Sequence, residues 1–313
     1  MSNRETYYAL LTYSTFNLGD DIQSLAAKQF LPRIDYYINR DFMDKLSKIK
    51  PMGKIKIIMN GWFAHRTIGW PLPDYVDPLF ISFHVDPSSK RRFLRKDVVN
   101  YLRKFRVGCR DLWTENLLKS YGIDAYFSGC LTLTLDMKYK SQERDDYVLI
   151  ADISDLVFRN LPDPILRKSI IRTNQINTLP NNNIFGKVYR KIFPESYWSN
   201  ILKKNQLPIN FRLSAAECRL REIARAKLVI TSKLHIAMPA VSLGVPVIFI
   251  HRNLEDPRFL GLIDFVNAYT ENEFLNEINK IDWFSIQNPN REKSEILKQN
   301  LKDVVEEFLK SSS

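Results

Sequence analysis

The stretch Val229-Ile-Thr-Ser-Lys-Leu-His-Ile-Ala-Met-Pro-Ala-Val-Ser-Leu-Gly-Val-Pro-Val-Ile-Phe-Ile250 reads as a strand, a turn, a helix and a second strand. Residues 228–230 are apolar and β-branched, the mark of a strand buried on both faces. Thr231 and Ser232 supply helix-start chemistry. Ile236, Ala237, Ala240, Val241 and Leu243 recur at helical spacing, Gly244 stops the helix, and 245–250 is the next strand. Lys233 and His235 therefore stand where a strand's carboxyl end meets a helix N-terminus. Open α/β sheets bind ligands at that edge, and helix N-termini favour anions. A cation and an imidazole at that point suggest a phosphate or carboxylate site.

Outward from this unit, strands alternate with helices. Strands are expected over 7–13, 55–59, 80–84, 106–109, 125–127 and 147–153. Helices are expected over 20–30, 97–104, 111–121, 215–225 and 291–309. This is an α/β pattern with a parallel sheet. Residues 138–146 are densely charged and without aliphatics, so they read as a linker. The segment 174–208, rich in Asn, aromatic and basic residues, reads as short helices and loops, a mobile or partner-facing region. The resulting division is an N-terminal Rossmann-like lobe over 1–140, a second over 147–290, and a helix over 291–313 packing back on the first.

Composition narrows the function. The chain has 313 residues, 45% of them hydrophobic, enough for two domains and too many for global disorder. A net charge of +11 and a pI near 9.4 predict an acidic partner. No apolar run reaches the roughly 18–20 residues of a membrane span, and the first residues read as no secretory signal. Three scattered cysteines without CxxC spacing speak for a reducing cytoplasm and against structural zinc. A metal site is not expected, since no His/Asp cluster has ligand spacing. Neither GxGxxG nor a P-loop is present. The basic runs Lys90-Arg91-Arg92 and Arg95-Lys96 fall on a predicted helix. They read as a solvated face or a dock for an anionic membrane. Nucleic acid is not expected, because no recognition motif accompanies the charge.

Three segments taken in order resemble the polysaccharide pyruvyltransferase family: Asn17-Leu-Gly-Asp20; Arg110-Asp111 with Leu117, Leu118, Gly122 and Ser128-Gly-Cys-Leu-Thr-Leu-Thr-Leu135; and Thr231-Ser-Lys-Leu-His235 with Ala240, Gly244 and Pro246. The resemblance spans roughly residues 10 to 260. It implies a GT-B-like fold, two Rossmann-like lobes around a cleft. It also implies transfer of pyruvate from phosphoenolpyruvate onto a sugar as a ketal. The cysteines point to the cytoplasm, and the basic runs to the inner face of the membrane and a lipid-linked saccharide. Phosphoenolpyruvate is a co-substrate, and no cofactor is implied. Two positions depart from the family pattern: Lys233 stands for its usual Arg, and Gly129-Cys130 for an Asp-Pro pair.

The donor carries a phosphate and a carboxylate, so Lys233, Arg110, Ser232, Arg252 and Arg258 are the candidate donor-binding residues. A proton must reach the enol methylene and a base must take the sugar hydroxyl proton, tasks that suit histidine. His235 is the first candidate, with His84, read as ending a strand, and Asp20 beside it. Asp20 or Asp21 equally serves as a helix cap, with Gly19 permitting a tight turn. Asn17, Asn60, Trp62 and His65 are the candidate acceptor residues, Trp62 as a sugar-stacking platform that could equally be packed. His251 reads as a strand-end residue without a role. The alternative is a GT-B glycosyltransferase using a nucleotide sugar, and a further one a non-catalytic binding protein of the same fold.

Overall fold

The computed structural model describes residues 5–63, 65–176, 207–283 and 285–311. The strands, in chain order, are β1 (Thr6–Thr12), β2 (Tyr36–Asn39), β3 (Lys54–Ile58), β4 (Gly61–Phe63), β5 (Val76–Leu79), β6 (Phe83–Val85), β7 (Val107–Cys109), β8 (Ala125–Phe127), β9 (Val148–Ala151), β10 (Ser169–Arg172), β11 (Leu228–Thr231), β12 (Val247–His251) and β13 (Asn267–Thr270). All their pairings are parallel. The second half forms one sheet, in order β10-β9-β11-β12-β13. Its inner strands are buried at nearly every residue, as a sheet covered on both faces requires.

The first half holds two four-stranded pieces, β2-β1-β3-β5 and β4-β6-β7-β8. They are one sheet interrupted along two strands. β4 continues β3 and β6 continues β5. Met59 N donates to Leu79 O across the first break at 2.7 Å, and Gly108 N to Phe80 O across the second at 2.9 Å. Ser82 turns the chain at φ 52°, its N–H held by Ser128 Oγ at 3.0 Å. The strand expected over 80–84 therefore falls on this break. With each broken strand taken as one, the first half runs second, first, third, fourth, fifth, sixth and the second half second, first, third, fourth, fifth. The architecture is α/β, with two Rossmann-like lobes.

The lobes share a core. Leu10 and Ile22 of the first cluster with Leu149, Val229 and Ile236 of the second, and with Leu301 and Val305 of the helix Arg291–Lys310. Arg212, on helix Ile209–Arg225, reaches back to Asp21 on helix Leu18–Lys28 with two hydrogen bonds of 2.9 and 2.7 Å, both residues buried. The C-terminal helix closes on the first sheet, where Lys56 Nζ of β3 donates to the carbonyls of Phe308 and Ser311 at 2.5 Å each.

Three local expectations are corrected. Helix Ile209–Arg225 starts six residues before the expected 215, because Leu213 extends its buried face past Arg212. The charged stretch 138–146 is pinned rather than slack, with Asp145 on Arg225 and Asp146 on Lys168 and Lys227. Thr231 and Ser232 do not cap the following helix, since Thr231 Oγ1 donates to Ala151 O at 2.9 Å and Ser232 Oγ to Asp152 O. Most of the segment 174–208 lies outside the described residues. Among the described residues no helix is long and apolar enough to cross a membrane.

Candidate active site

Six strands deliver their carboxyl ends to one cavity of about 130 Å³ between the lobes. The first lobe contributes Asn17 and Asp20 after β1, Trp62 from β4 and Arg110 after β7. The second contributes Asn174 after β10, Ser232 to His235 after β11, His251 at the end of β12, and Arg258 with Phe259 beyond it. This is the rim where open parallel sheets bind ligands.

Asn17 caps helix Leu18–Lys28, its Oδ1 accepting from Gly19 N at 3.0 Å and from Asn174 Nδ2 at 2.9 Å. It therefore ties the two rims together. Gly19 is helical rather than the tight turn expected of it, and what it supplies is space. A Cβ there would lie 2.6 Å from His235 Cβ. Asp20 is buried, accepting from Thr15 Oγ1 at 2.5 Å and from Gln23 Nε2 at 3.2 Å. Arg40 Nη1, otherwise without a partner, lies 3.7 Å from Asp20 Oδ1. Arg40 also grips Asp41 Oδ1 through Nε and Nη2, at 3.2 and 3.1 Å. The same Asp41 oxygen meets His65 Nδ1 at 3.2 Å, and His65 packs edge-on beneath Trp62. Burial opposes ionisation of Asp41, yet Arg40 and His65 hold its carboxyl well below the usual range.

On the opposite rim, helix Leu234–Ser242 begins with Lys233 at the N-cap and no side-chain cap, so its N-terminus faces the cavity ready for an anion. Lys233 makes no ion pair among the described residues. His235 is buried, its Nε2 3.5 Å from Arg110 Nη1. Burial, then the charges of Arg110 and Arg258, drive its pKa well below the ordinary value, so it rests as a neutral imidazole. Arg258 is held by Asp256 in a two-point contact of 2.8 and 2.6 Å. His251, read as having no role, also faces the cavity, its Nδ1 2.9 Å from Asn253 O.

Other expected site residues are placed differently. His84 does not line the cavity. It sits inside β6 rather than at its end, and the strand's alternation turns it towards helix Leu112–Ser120, fully buried. There its Nδ1 meets Asp111 Oδ2 at 2.5 Å, with Thr114 Oγ1 at 3.0 Å. Burial keeps His84 neutral against the pull of Asp111. Burial alone would raise the Asp111 carboxyl, but His84 and Arg110 outweigh it and hold it down. An ionised Asp111 only accepts, so Nδ1 carries the proton and the partnerless Nε2 keeps its lone pair. Asn60 is buried between β3 and β4, its Nδ2 on Gln23 O, and His65 lies behind Trp62; neither reaches the cavity. Arg252 points outward, its side chain 80% exposed and 3.4 Å from Glu271. Of the basic run, Arg95 is engaged by Asp97 and the Thr67 and Trp70 carbonyls. Reading the sequence missed Arg40, Asp41 and Asn174; Arg40 and Asp41 pair with each other and reach Asp20 and His65, and Asn174 meets Asn17 157 positions away. Among the described residues no cluster of three or more His, Cys, Asp or Glu could hold a metal ion.

A family model described as polysaccharide pyruvyl transferase matches residues 17–253. No curated protein sequence matches. Similar solved structures include a UDP-GlcNAc 2-epimerase of Methanocaldococcus jannaschii, at 14% identity, 96% of this chain and 100% of that one, TM-score 0.43. Another is the UDP-GlcNAc 2-epimerase of Neisseria meningitidis, at 11% identity, 96% and 100% coverage, TM-score 0.42. A third is the wall teichoic acid polymerase TagF, at 10% identity, 98% and 91% coverage, TM-score 0.42. Likeness at this distance extends to no activity.

Proposed function

The chain belongs to the polysaccharide pyruvyl transferase family, and on that premise we propose that it moves the pyruvyl group of phosphoenolpyruvate onto two hydroxyls of a saccharide as a ketal. The observation that carries this reading is the charge of the cavity. Arg110, Lys233, Arg258 and an uncapped helix N-terminus face one carboxylate, Asp20. A small ligand with two anionic groups suits that set. A nucleotide sugar, the alternative donor, needs a pocket nearer the roughly 300–1,000 Å³ of ordinary ligand sites than the 130 Å³ present.

In this reading the donor's phosphate lies on the N-terminus of helix Leu234–Ser242 with Lys233 and Ser232, and Arg110 with Arg258 meets its carboxylate. The neutral His235 gains a proton once the dianionic donor enters, because a nearby anion favours the charged imidazole. It then protonates the enol methylene, making C2 electrophilic. One sugar hydroxyl attacks C2, Asp20 taking its proton. Phosphate leaves, and the second hydroxyl adds at the same carbon. The methyl group keeps the proton His235 took up from solvent, the first hydroxyl proton returns to solvent through Asp20, and the second leaves on the released phosphate. Asp111, held by His84, lies 3.8 Å from Arg110 Nε and balances its charge. Trp62 and Asn17 face the acceptor. We extend the proposal to a lipid-linked acceptor approached through the basic stretch 90–96, with the chain at the inner face of the membrane. Co-sedimentation with anionic vesicles tests that extension.

The test is incubation with phosphoenolpyruvate and tagged sugars bearing neighbouring hydroxyl pairs, following phosphate release and product mass. Phosphate release with a product heavier by one ketal supports the reading. Turnover of a nucleotide sugar with none of phosphoenolpyruvate would replace it with glycosyl transfer.

A further inference from the structure

Asp152 directly follows β9 and does not itself line the cavity, yet its backbone sits in the left-handed region at φ 54°. We propose that Asp152 is a positioning residue, fixing the anion-binding turn of the second lobe relative to the Asn17 rim of the first; the substrates that meet there rest on the function proposed above.

Apart from glycine, asparagine and aspartate, residues adopt this conformation at a cost, and it persists where the surroundings over-determine it. Three contacts do so here. The Asp152 carbonyl accepts from the Ser232 hydroxyl. The carboxylate accepts from Thr173 Oγ1 at Oδ1 and from Asn174 N at Oδ2, each at 2.8 Å. One residue thus grips the turn after β11 with its main chain and the end of β10 with its side chain.

Each grip continues to a rim. On the anion side, the preceding carbonyl, Ala151 O, takes Thr231 Oγ1 at 2.9 Å, and that same Thr231 oxygen accepts from Lys233 N at 3.0 Å. The carboxyl end of β9 therefore sets the backbone from which Lys233 enters the cavity. On the other side, Asn174 carries the link across the lobes. Its carbonyl accepts from Leu18 N at 2.8 Å, and its Nδ2 donates to Asn17 Oδ1 at 2.9 Å. Asn17 Oδ1 also takes the Gly19 N–H, so the Asn174 atom facing it is the amide nitrogen. From Ser232 to Asn17 the path runs through Asp152 and Asn174, with a hydrogen bond at every step. A shift of about 1 Å between reacting groups costs on the order of a hundredfold in rate, so a tie this short bears directly on turnover.

The experiment compares wild type with Asp152→Gly and Asp152→Asn. Glycine relieves the left-handed strain as it removes both carboxylate contacts, so folding is retained, and its carbonyl is free to turn away from Ser232. Asparagine keeps the left-handed backbone, accepts from Asn174 N through Oδ1 and donates through Nδ2 to a turned Thr173 hydroxyl. Both substitutions remove the same charge, so the difference between them reads the hydrogen bonds alone. Inorganic phosphate titrated by calorimetry reads the anion turn without turnover. Phosphate release from phosphoenolpyruvate with tagged sugars reads catalysis, and scanning calorimetry reads stability. The expected result is that Asp152→Gly weakens phosphate tenfold or more and lowers kcat tenfold or more, with a melting temperature within about 4 °C of wild type. Asp152→Asn stays within threefold of wild type in both. Unchanged affinity and turnover in Asp152→Gly, equal losses in the two variants, a lowered melting temperature with catalysis per folded molecule intact, or no phosphate binding by the wild type would overturn the positioning role. Phosphate affinity lost in Asp152→Gly and kept in Asp152→Asn, with no form releasing phosphate from phosphoenolpyruvate, would uphold Asp152 as the anchor of the anion turn and remove the ketal-transfer reading.

Discussion

The two rims of the central cavity are built on opposite plans. On the first lobe the buried carboxylates are already engaged: Asp20 by Thr15 and Gln23, Asp41 by Arg40 and His65, Asp111 by His84. On the second, Lys233 has no ion-pair partner among the described residues and the helix behind it has no side-chain cap. One rim is a finished network that fixes geometry before anything binds. The other holds its charge in reserve. Fixed carboxylates thus weigh on the first lobe and unpaired cationic charge, Arg110 apart, on the second, and the difference says where stability and where affinity should respond to substitution.

The largest response should come from the clamp that joins the rims. Arg212→Met strands the buried Asp21 carboxylate, and losing one partner of a buried pair costs about 3–5 kcal/mol. Urea unfolding should show the loss; a change under 1 kcal/mol would mean the lobes are held by their apolar contact alone. Gly19→Ala comes next, because its Cβ would press to 2.6 Å of His235 Cβ. Overpacking of this kind costs about 1–3 kcal/mol and displaces the imidazole. Activity should fall more steeply than thermal stability, and an active, undisturbed variant would show that the rims can part at no cost.

Lys233→Met should behave in the contrary way. Truncating a charge that meets a bound anion costs about 2–5 kcal/mol of binding, while the melting temperature in the absence of ligand should hold. Phosphate titration by calorimetry reads the first and scanning calorimetry the second. Acid sensitivity gives a smaller effect. An unfolded histidine takes up a proton near pH 6.5. Folded His84 and His235 are held below that value, chiefly by burial, so below about pH 6.5 the unfolded state binds the extra protons. Stability is therefore lost as the pH falls, by up to about 1.4 kcal/mol per pH unit for each group, until the folded values are reached. His235→Gln should flatten the fall, and unchanged slopes would show His235 charged in the fold. Smallest of all, Arg252→Ala should alter neither donor affinity nor stability beyond about 0.5 kcal/mol.

The same contrast explains what could be read from the sequence. The centre of the second rim, Ser232 to His235 with His251, is local. Strand, turn and helix follow one another within residues 228–251, so its chemistry is visible in one continuous stretch. The first rim is assembled from distant pieces. Arg40 and Asp41 follow the four-residue strand Tyr36–Asn39, too short and polar to show a period, and Asn174 meets Asn17 across 157 positions. His84 was misplaced because the run 80–84 looks like one strand, while the chain breaks at Ser82 and restarts at Phe83. One residue of register decides which way an imidazole points.

Lys56 sets a timetable for synthesis. Its buried ammonium is received by carbonyls at Phe308 and Ser311, up to 255 positions later in the chain. At about 5–20 residues per second the ribosome takes roughly 10–50 s to supply them. Until then that ammonium stays with water, and the face of the first sheet that the C-terminal helix covers stays open. A nascent first lobe should thus remain open to chaperones and proteases through most of translation, however early its strands have paired.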